Sequence, residues 1–204
     1  MGEASALTGR AEQMARSLRA ALTARGHGRD DRDTILQAFS LAMKPRIAEL
    51  PDDHHPAWLH PARSVLILLH DATGVDPVTL IVAALHDSLD TRLRVAPDEI
   101  ERRFGSRPAR GLESIPLPGD EQLLERLLLL GPELALAALA EQLDQLRHLH
   151  LREDLVDDWT GLHSETSAAW IPFAARINPV LHRRYQHWGR VFGRRLERRT
   201  DDPL

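Results

Sequence analysis

The stretch LIVAALHDSLDT, residues 80–91, carries the decision about the fold. Its first half is unbroken apolar sequence and its second half turns mostly polar at His86–Asp87. A short apolar run fits a buried strand or a buried helix, and its flanks arbitrate. Upstream, Asp76–Pro77 places a helix N-cap residue before a proline at the first helical position, where no N–H is needed. The run therefore reads as a helix ending in a His-Asp pair. A second such pair, His70–Asp71, closes the preceding segment, so the dipeptide alone does not mark a site.

Outward from that helix the same helical period recurs. Residues 4–25 space Leu7, Ala11, Met14, Leu18 and Leu22 at intervals of three to four, and Gly26 and Gly28 stop the helix. Residues 32–50 form a second amphipathic segment through Ile35, Phe39, Met43 and Ile47, with a kink expected at Pro45. PDDHHPAW, 51–58, reads as a loop. The third helix begins near His60–Pro61 and runs to Gly74, and VTLIVAALHDSL forms the fourth. PDEIERRFG reads as a short helix capped by Gly105, whereas SRPARGLESIPLPGD is expected to be broken by its prolines and glycines. EQLLERLLLL ends at Gly131–Pro132, and PELALAALAEQLDQLRHLH is the most strongly helical segment. Residues 161–177 and 179–199 supply two more helices. Alternating β-branched runs are scarce and no Asn-Gly or Asp-Gly turn occurs. The chain reads as one all-α domain: an N-terminal helix within 1–28, a core over about 30–180, and an Arg-rich helix and tail over 179–204.

Composition removes several classes of chemistry. The chain has 204 residues, enough to bury a large core, and is 43% hydrophobic and 27% charged. It has no cysteine, which excludes disulfides, iron–sulfur clusters and thiolate catalysis. MGEASALTGRAEQMARSL lacks the apolar centre of a signal peptide, and no apolar run is long enough to span a membrane. The expectation is a cytoplasmic protein. No phosphate loop, nucleophile elbow or dinucleotide-binding glycine pattern occurs. Net charge is −4, so bulk electrostatics do not favour a nucleic-acid partner. Locally, though, eight arginines stand against Glu197 between Arg176 and Arg199. That segment reads first as a solvated helix face and second as a phosphate- or partner-binding face.

Hard divalent metals want carboxylate and imidazole ligands converging from separate elements. His60 at the start of the third helix and His86–Asp87 at the end of the fourth are candidates. A carboxylate from the helix 132–148 would close the set. Glu141 lies between Leu139 and Leu143, and an acid beside a buried stripe is costly unless paired or metal-bound. Asp144, one turn later, is an alternative. His54, His55, His148 and His150 read as surface residues, and His70–Asp71 as a helix end.

WLHPARSVLILL, VTLIVAALHDSLDT, PDEIERRFGS, LALAALAEQLDQLRHL and AWIPFAARIN occur in one order over roughly residues 35–180. Together they resemble the HD-type hydrolase domain of the RelA/SpoT alarmone enzymes, including the small stand-alone alarmone hydrolases of the bacterial stringent response. The resemblance singles out His86–Asp87 and implies an HD-domain helical bundle. It also implies one Mn²⁺, with Fe²⁺ or Zn²⁺ as alternatives, held by His60, His86, Asp87 and Glu141. Glu141 stands where the family has Asp. The family's Glu-Asp pair, which handles the nucleophilic water, falls on Asp90 and Thr91. For the substrate, the resemblance points to Lys44 and Arg46 near the base, and to Gln145, Arg147 and Arg176 near the phosphates. The family's Asp-Arg has become Glu141–Gln142 and its Asn has become Gln145, while Trp170 and Asn178 replace a Tyr and a Gly.

Two functions from different classes follow. One is a metal-dependent phosphohydrolase resembling a (p)ppGpp 3′-pyrophosphohydrolase. The other, motivated by the shortened Asp90 and the lost second carboxylate at Thr91, is an HD-type protein that binds a nucleotide, metal or protein partner without turnover. A nucleic-acid module rests on the Arg-rich segment alone. The sequence leaves open the metal, the nucleotide and the oligomeric state, although the helix 4–25 offers a surface on which two subunits could pair.

Overall fold

The computed structural model describes residues 8–201; of these, 78% are helical, and they form one compact domain. No strand occurs among the described residues. Eleven α-helices follow in order: α1 Gly9–Ala24, α2 Arg29–Glu49, α3 His60–Asp71, α4 Pro77–Leu85, α5 Pro97–Phe104, α6 Ser106–Ser114, α7 Leu123–Leu128, α8 Pro132–His148, α9 Trp159–Glu165, α10 Ile171–Ile177 and α11 Pro179–Asp201. Helix α8 runs through the middle, against α3, α4 and α11, and α2 packs on the far side of α4.

Local chemistry sets the ends of the helices that carry the candidate site. Asp76 caps α4, its carboxylate accepting from the Thr79 N–H at 3.0 Å. α4 then stops at Leu85, earlier than its apolar pattern suggests, because His86 adopts an extended backbone. His86 and Asp87 thus stand on a loop and can turn inward. Helix α3 starts on His60 itself, with Pro61 in its first turn. α2 runs through Pro45 without interruption. Gly105 ends α5 with φ +84°, a conformation other residues rarely adopt.

The expectation that SRPARGLESIPLPGD is broken holds only for its second half. Ser106–Ser114 is helical: Pro108 falls in the first turn, where a missing N–H costs nothing. Gly111 lets α6 lie close to α4 and α8, since a Cβ there would come within 2.8 Å of Leu134 Cδ2 and 3.4 Å of Val82 Cγ2.

The core extends beyond the span 30–180. Ala11, Leu18 and Leu22 of α1 are fully buried, so the stripe that offered a subunit contact is spent within this chain; Leu7 lies outside the described residues. Leu181, Tyr185, Trp188 and Phe192 of α11 are buried as well. Tyr185 Oη donates to Leu139 O at 2.8 Å and Trp188 Nε1 to Leu146 O at 2.7 Å, which clamps α11 on α8. The tail at 202–204 lies outside the described residues. Among the described residues no helix is long and apolar enough to cross a membrane.

Gly111→Val is expected to destabilise the fold by about 1–3 kcal/mol through overpacking of the α6–α8 contact. Urea unfolding of the two proteins measures it; equal stabilities would show that the contact is not tight.

Candidate metal centre

The segment that the sequence marks as most strongly helical brings two acids into the core. Glu141 and Asp144 of α8 are 1% and 0% exposed. His60, His86, Asp87, Asp90 and Gln145 are also buried. Three buried carboxylates near one another are stable only if donors and cations meet them.

Each acid has its own support. Asp144 Oδ2 lies 2.9 Å from His60 Nδ1, and Arg63 Nε donates to Asp144 Oδ1 and Oδ2 at 2.9 and 3.0 Å. Asp144 therefore faces the back of the His60 ring, not the centre, and leaves Nε2 of His60 pointing inward. Asp87 Oδ2 accepts from Arg46 Nη2 at 2.5 Å, while Arg46 Nε and Nη1 donate to Ala57 O and Ala42 O. Glu141 Oε1 accepts from the Ser88 N–H and hydroxyl, both at 3.0 Å. Arg94 completes the loop by donating to Asp87 O at 2.7 Å and Ser88 O at 3.1 Å.

Ionisation follows this pairing. Burial pushes the Asp144 carboxyl up, but the hydrogen bond from His60 and the charges of His60 and Arg63 outweigh it and hold it at about 2. Burial pushes the His60 imidazole down, but its bonds to Asp144 and Glu141 outweigh that and raise it to about 9. Glu141 is likewise driven up by burial and further down by His86 and His60, ending well below the usual carboxylate range. Asp87, Glu141 and Asp144 are thus balanced by Arg46, Arg63 and a protonated His60.

A divalent cation is the group that the resemblance implies, and the side chains include the ligand types that one takes. Two buried polar atoms, His86 Nδ1 and Glu141 Oε2, take no hydrogen bond, although they lie 3.2 Å apart. That spacing suits two ligands sharing a cation with bonds of about 2.1 Å. Asp87 Oδ1, and His60 Nε2 once its proton is released to an incoming cation, supply two further inward atoms, and the outer atom of each side chain is already held in place. One group stands among them. Gln145 Nε2 is 3.0 Å from Asp87 Oδ1, 3.4 Å from Glu141 Oε1 and 3.5 Å from His60 Nε2. With that amide between them the donors do not close on a point, and among the described residues no group of three or more His, Asp or Glu side chains is arranged to hold a metal ion.

The remaining expected residues are placed as follows. Asp90 is buried beside the centre, but both of its oxygens accept from Arg92, at 3.0 and 3.1 Å on Oδ1 and 2.8 Å on Oδ2. Burial raises its pKa and the bonds from Arg92 outweigh this, so the net shift is downward. Thr91 and Arg176 are exposed. Lys44 lies 3.5 Å from Glu99. Arg147 lines a groove with Arg183, Arg184 and His187 on the α8–α11 face. Sequence reasoning missed Ser88, Arg63 and Arg94. Ser88 directly follows the His-Asp pair and Arg63 lies one turn beyond His60, and those positions were the available signal.

A cleft of about 570 Å³ opens from His86 and Asp87 and is walled by α5, α6 and the Ile115–Asp120 loop. It is the natural access route to the centre. No protein-family model matches the chain, and no curated protein matches it.

The Asp144 shift sets a stability limit in acid. A carboxyl held below its unfolded value of 3.8 stabilises the fold above that pH and ceases to do so as pH falls toward about 2. Wild type should therefore exceed Asp144→Asn by about 2 kcal/mol near pH 5, and the gap should shrink toward pH 2. Urea unfolding across that range measures it; a gap independent of pH would contradict the assignment.

Proposed function

We propose that this chain is an HD-type metal-dependent phosphohydrolase acting on a phosphorylated nucleotide or similar ester in the 570 Å³ cleft. The observation that carries the reading is the buried contact of His86 Nδ1 with Glu141 Oε2, 3.2 Å apart and with no other partner, beside His60 and Asp87. The resemblance to alarmone hydrolases adds (p)ppGpp as the first substrate to assay. His60, His86, Asp87 and Glu141 would hold the cation, Mn²⁺ by resemblance. Such an ion polarises a phosphoryl oxygen and lowers the pKa of a bound water.

The chain's own groups divide the remaining work. Asp144 and Arg63 fix the His60 ring, and Arg46 fixes the Asp87 carboxylate. Ser88 fixes Glu141. Arg94 stands at the cleft beside the His86–Asp87 loop and presents a positive charge to a phosphate. Asp90 remains ionised at neutral pH, which suits it to orient a water by accepting a hydrogen bond rather than to take its proton.

A second reading has its own observation. Asp90 is fully engaged by Arg92, Thr91 carries no carboxylate, and the Gln145 amide stands among the donors. These favour an HD-type protein that binds its ligand without turning it over.

Calorimetric titration with Mn²⁺ separates the cases. Wild type should bind one ion, His86→Ala should lose more than roughly 100-fold in affinity, and Asp144→Asn about 10–100-fold. Gln145→Ala should bind roughly tenfold more tightly, because an amide hydrogen bond no longer competes. Turnover of ppGpp by the loaded protein supports the hydrolase; binding without turnover of any phosphate ester supports the second reading. Absence of Mn²⁺ binding, or binding unchanged in His86→Ala, overturns the metal site.

A further inference from the structure

The cleft that opens onto the candidate centre has a composition that bears on its substrate. Its walls are mainly apolar: Val95, Ile100, Leu112, Ile115 and Leu117, with Pro97, line it. Its charged lining consists of three acids, Asp87, Glu113 and Asp120, against two arginines, Arg94 and Arg126. Arg126 is paired with Asp120. Arg94 spends Nε and Nη2 on the backbone carbonyls of Asp87 and Ser88. Asp87 is itself paired with Arg46, so the cleft carries no excess of positive charge, and one arginine is left to meet an anion near His86.

The cations that a multiply phosphorylated nucleotide would need are elsewhere. Arg46 is buried on Asp87, Lys44 pairs with Glu99, and Arg147 lies on the α8–α11 face. Arg176 is exposed on α10, and it does not line the cleft. A ligand with several negative charges would enter a largely apolar space with little to pair its outer phosphates, and charge taken out of water without a partner is costly. A ligand with one phosphate and a large apolar body would match both ends. Its phosphate would meet Arg94 and the candidate centre, and its body would cover apolar wall, each square ångström removed from water being favourable.

We propose that the substrate class of this site is a phosphomonoester with an apolar or planar body rather than a pyrophosphorylated nucleotide. The inference rests on the hydrolase reading for its chemistry, but the selectivity of the cleft does not depend on the metal. Hydrolysis of such an ester joins a water oxygen to phosphorus and breaks the bond from phosphorus to the ester oxygen. The leaving oxygen keeps the bonding pair and takes a proton, and inorganic phosphate and an alcohol are released. Leu117 stands at the mouth of the cleft at 37% exposure, so it can be changed without opening the core.

Binding of 1-naphthyl phosphate and of ppGpp to the full chain, each with and without Mn²⁺, tests the proposal. The expected result is roughly tenfold or greater preference for 1-naphthyl phosphate in both arms, and a loss of roughly three- to tenfold for that ligand in Leu117→Asn. With Mn²⁺, turnover of 1-naphthyl phosphate, read as released phosphate, should exceed turnover of ppGpp, read as released phosphate and pyrophosphate together. Equal or tighter binding of ppGpp, binding of neither ligand, or an unchanged Leu117→Asn overturns the substrate class. Failure of Mn²⁺ to bind in the same titrations would remove the hydrolase reading while leaving the metal-free preference as the measure of the cleft.

Discussion

Three carboxylates sit at the centre of this bundle with almost no contact with water: Asp87, Glu141 and Asp144. Removing an ion from water costs several kcal/mol even after the protein relaxes, so each acid must be met by donors brought from elsewhere in the fold. α2 sends Arg46 to Asp87, α3 sends His60 and Arg63 to Asp144, and the loop after α4 sends the Ser88 N–H and hydroxyl to Glu141. α3 and the loop after α4 are thus fixed against α8, and α2 against that loop, by charge compensation as well as by apolar packing. Removal of any one partner would strand a buried charge, a heavier cost than the loss of a single surface contact.

The same compensation shapes what the centre can do. Side chains whose outer atoms are already tied hold their inner atoms in place, and rigid inner atoms are what a metal site needs. Gln145 stands among these inner atoms through an uncharged amide, and the Asp90 N–H also donates to Asp87 Oδ1. Asp90 shows the opposite arrangement: a carboxylate beside the centre but committed to Arg92 on both oxygens. The supports for a cation are therefore better developed than the machinery for moving a proton, and the cleft beyond them is more apolar than charged.

Much of the fold was legible in the sequence. Asp76–Pro77, His60–Pro61 and Gly105 mark real helix ends because their backbone chemistry is local. α6 was not legible: Pro108 and Gly111 look like breakers, but one falls in the first helical turn and the other serves a close helix contact that only tertiary packing reveals. In the centre, the sequence pointed to His60, His86, Asp87 and Glu141, and the structure brings all four together. It could not show that Asp144 backs His60, or that Arg46, which the resemblance places near the substrate, is spent on Asp87. Those pairings join residues far apart in the chain, and no local pattern encodes them. Arg147 and Arg176 were carried by resemblance alone and lie outside the cleft lining.

The central claim is that His60, His86, Asp87 and Glu141 surround the place of a divalent cation. An anomalous difference map at the manganese edge, from crystals grown with Mn²⁺, tests it most directly. The account predicts a single strong peak bonded to those four side chains at about 2.0–2.3 Å, with the Gln145 amide displaced. A peak elsewhere in the molecule, or a centre in which Gln145 still bridges Asp87 and Glu141 at saturating Mn²⁺, would contradict it.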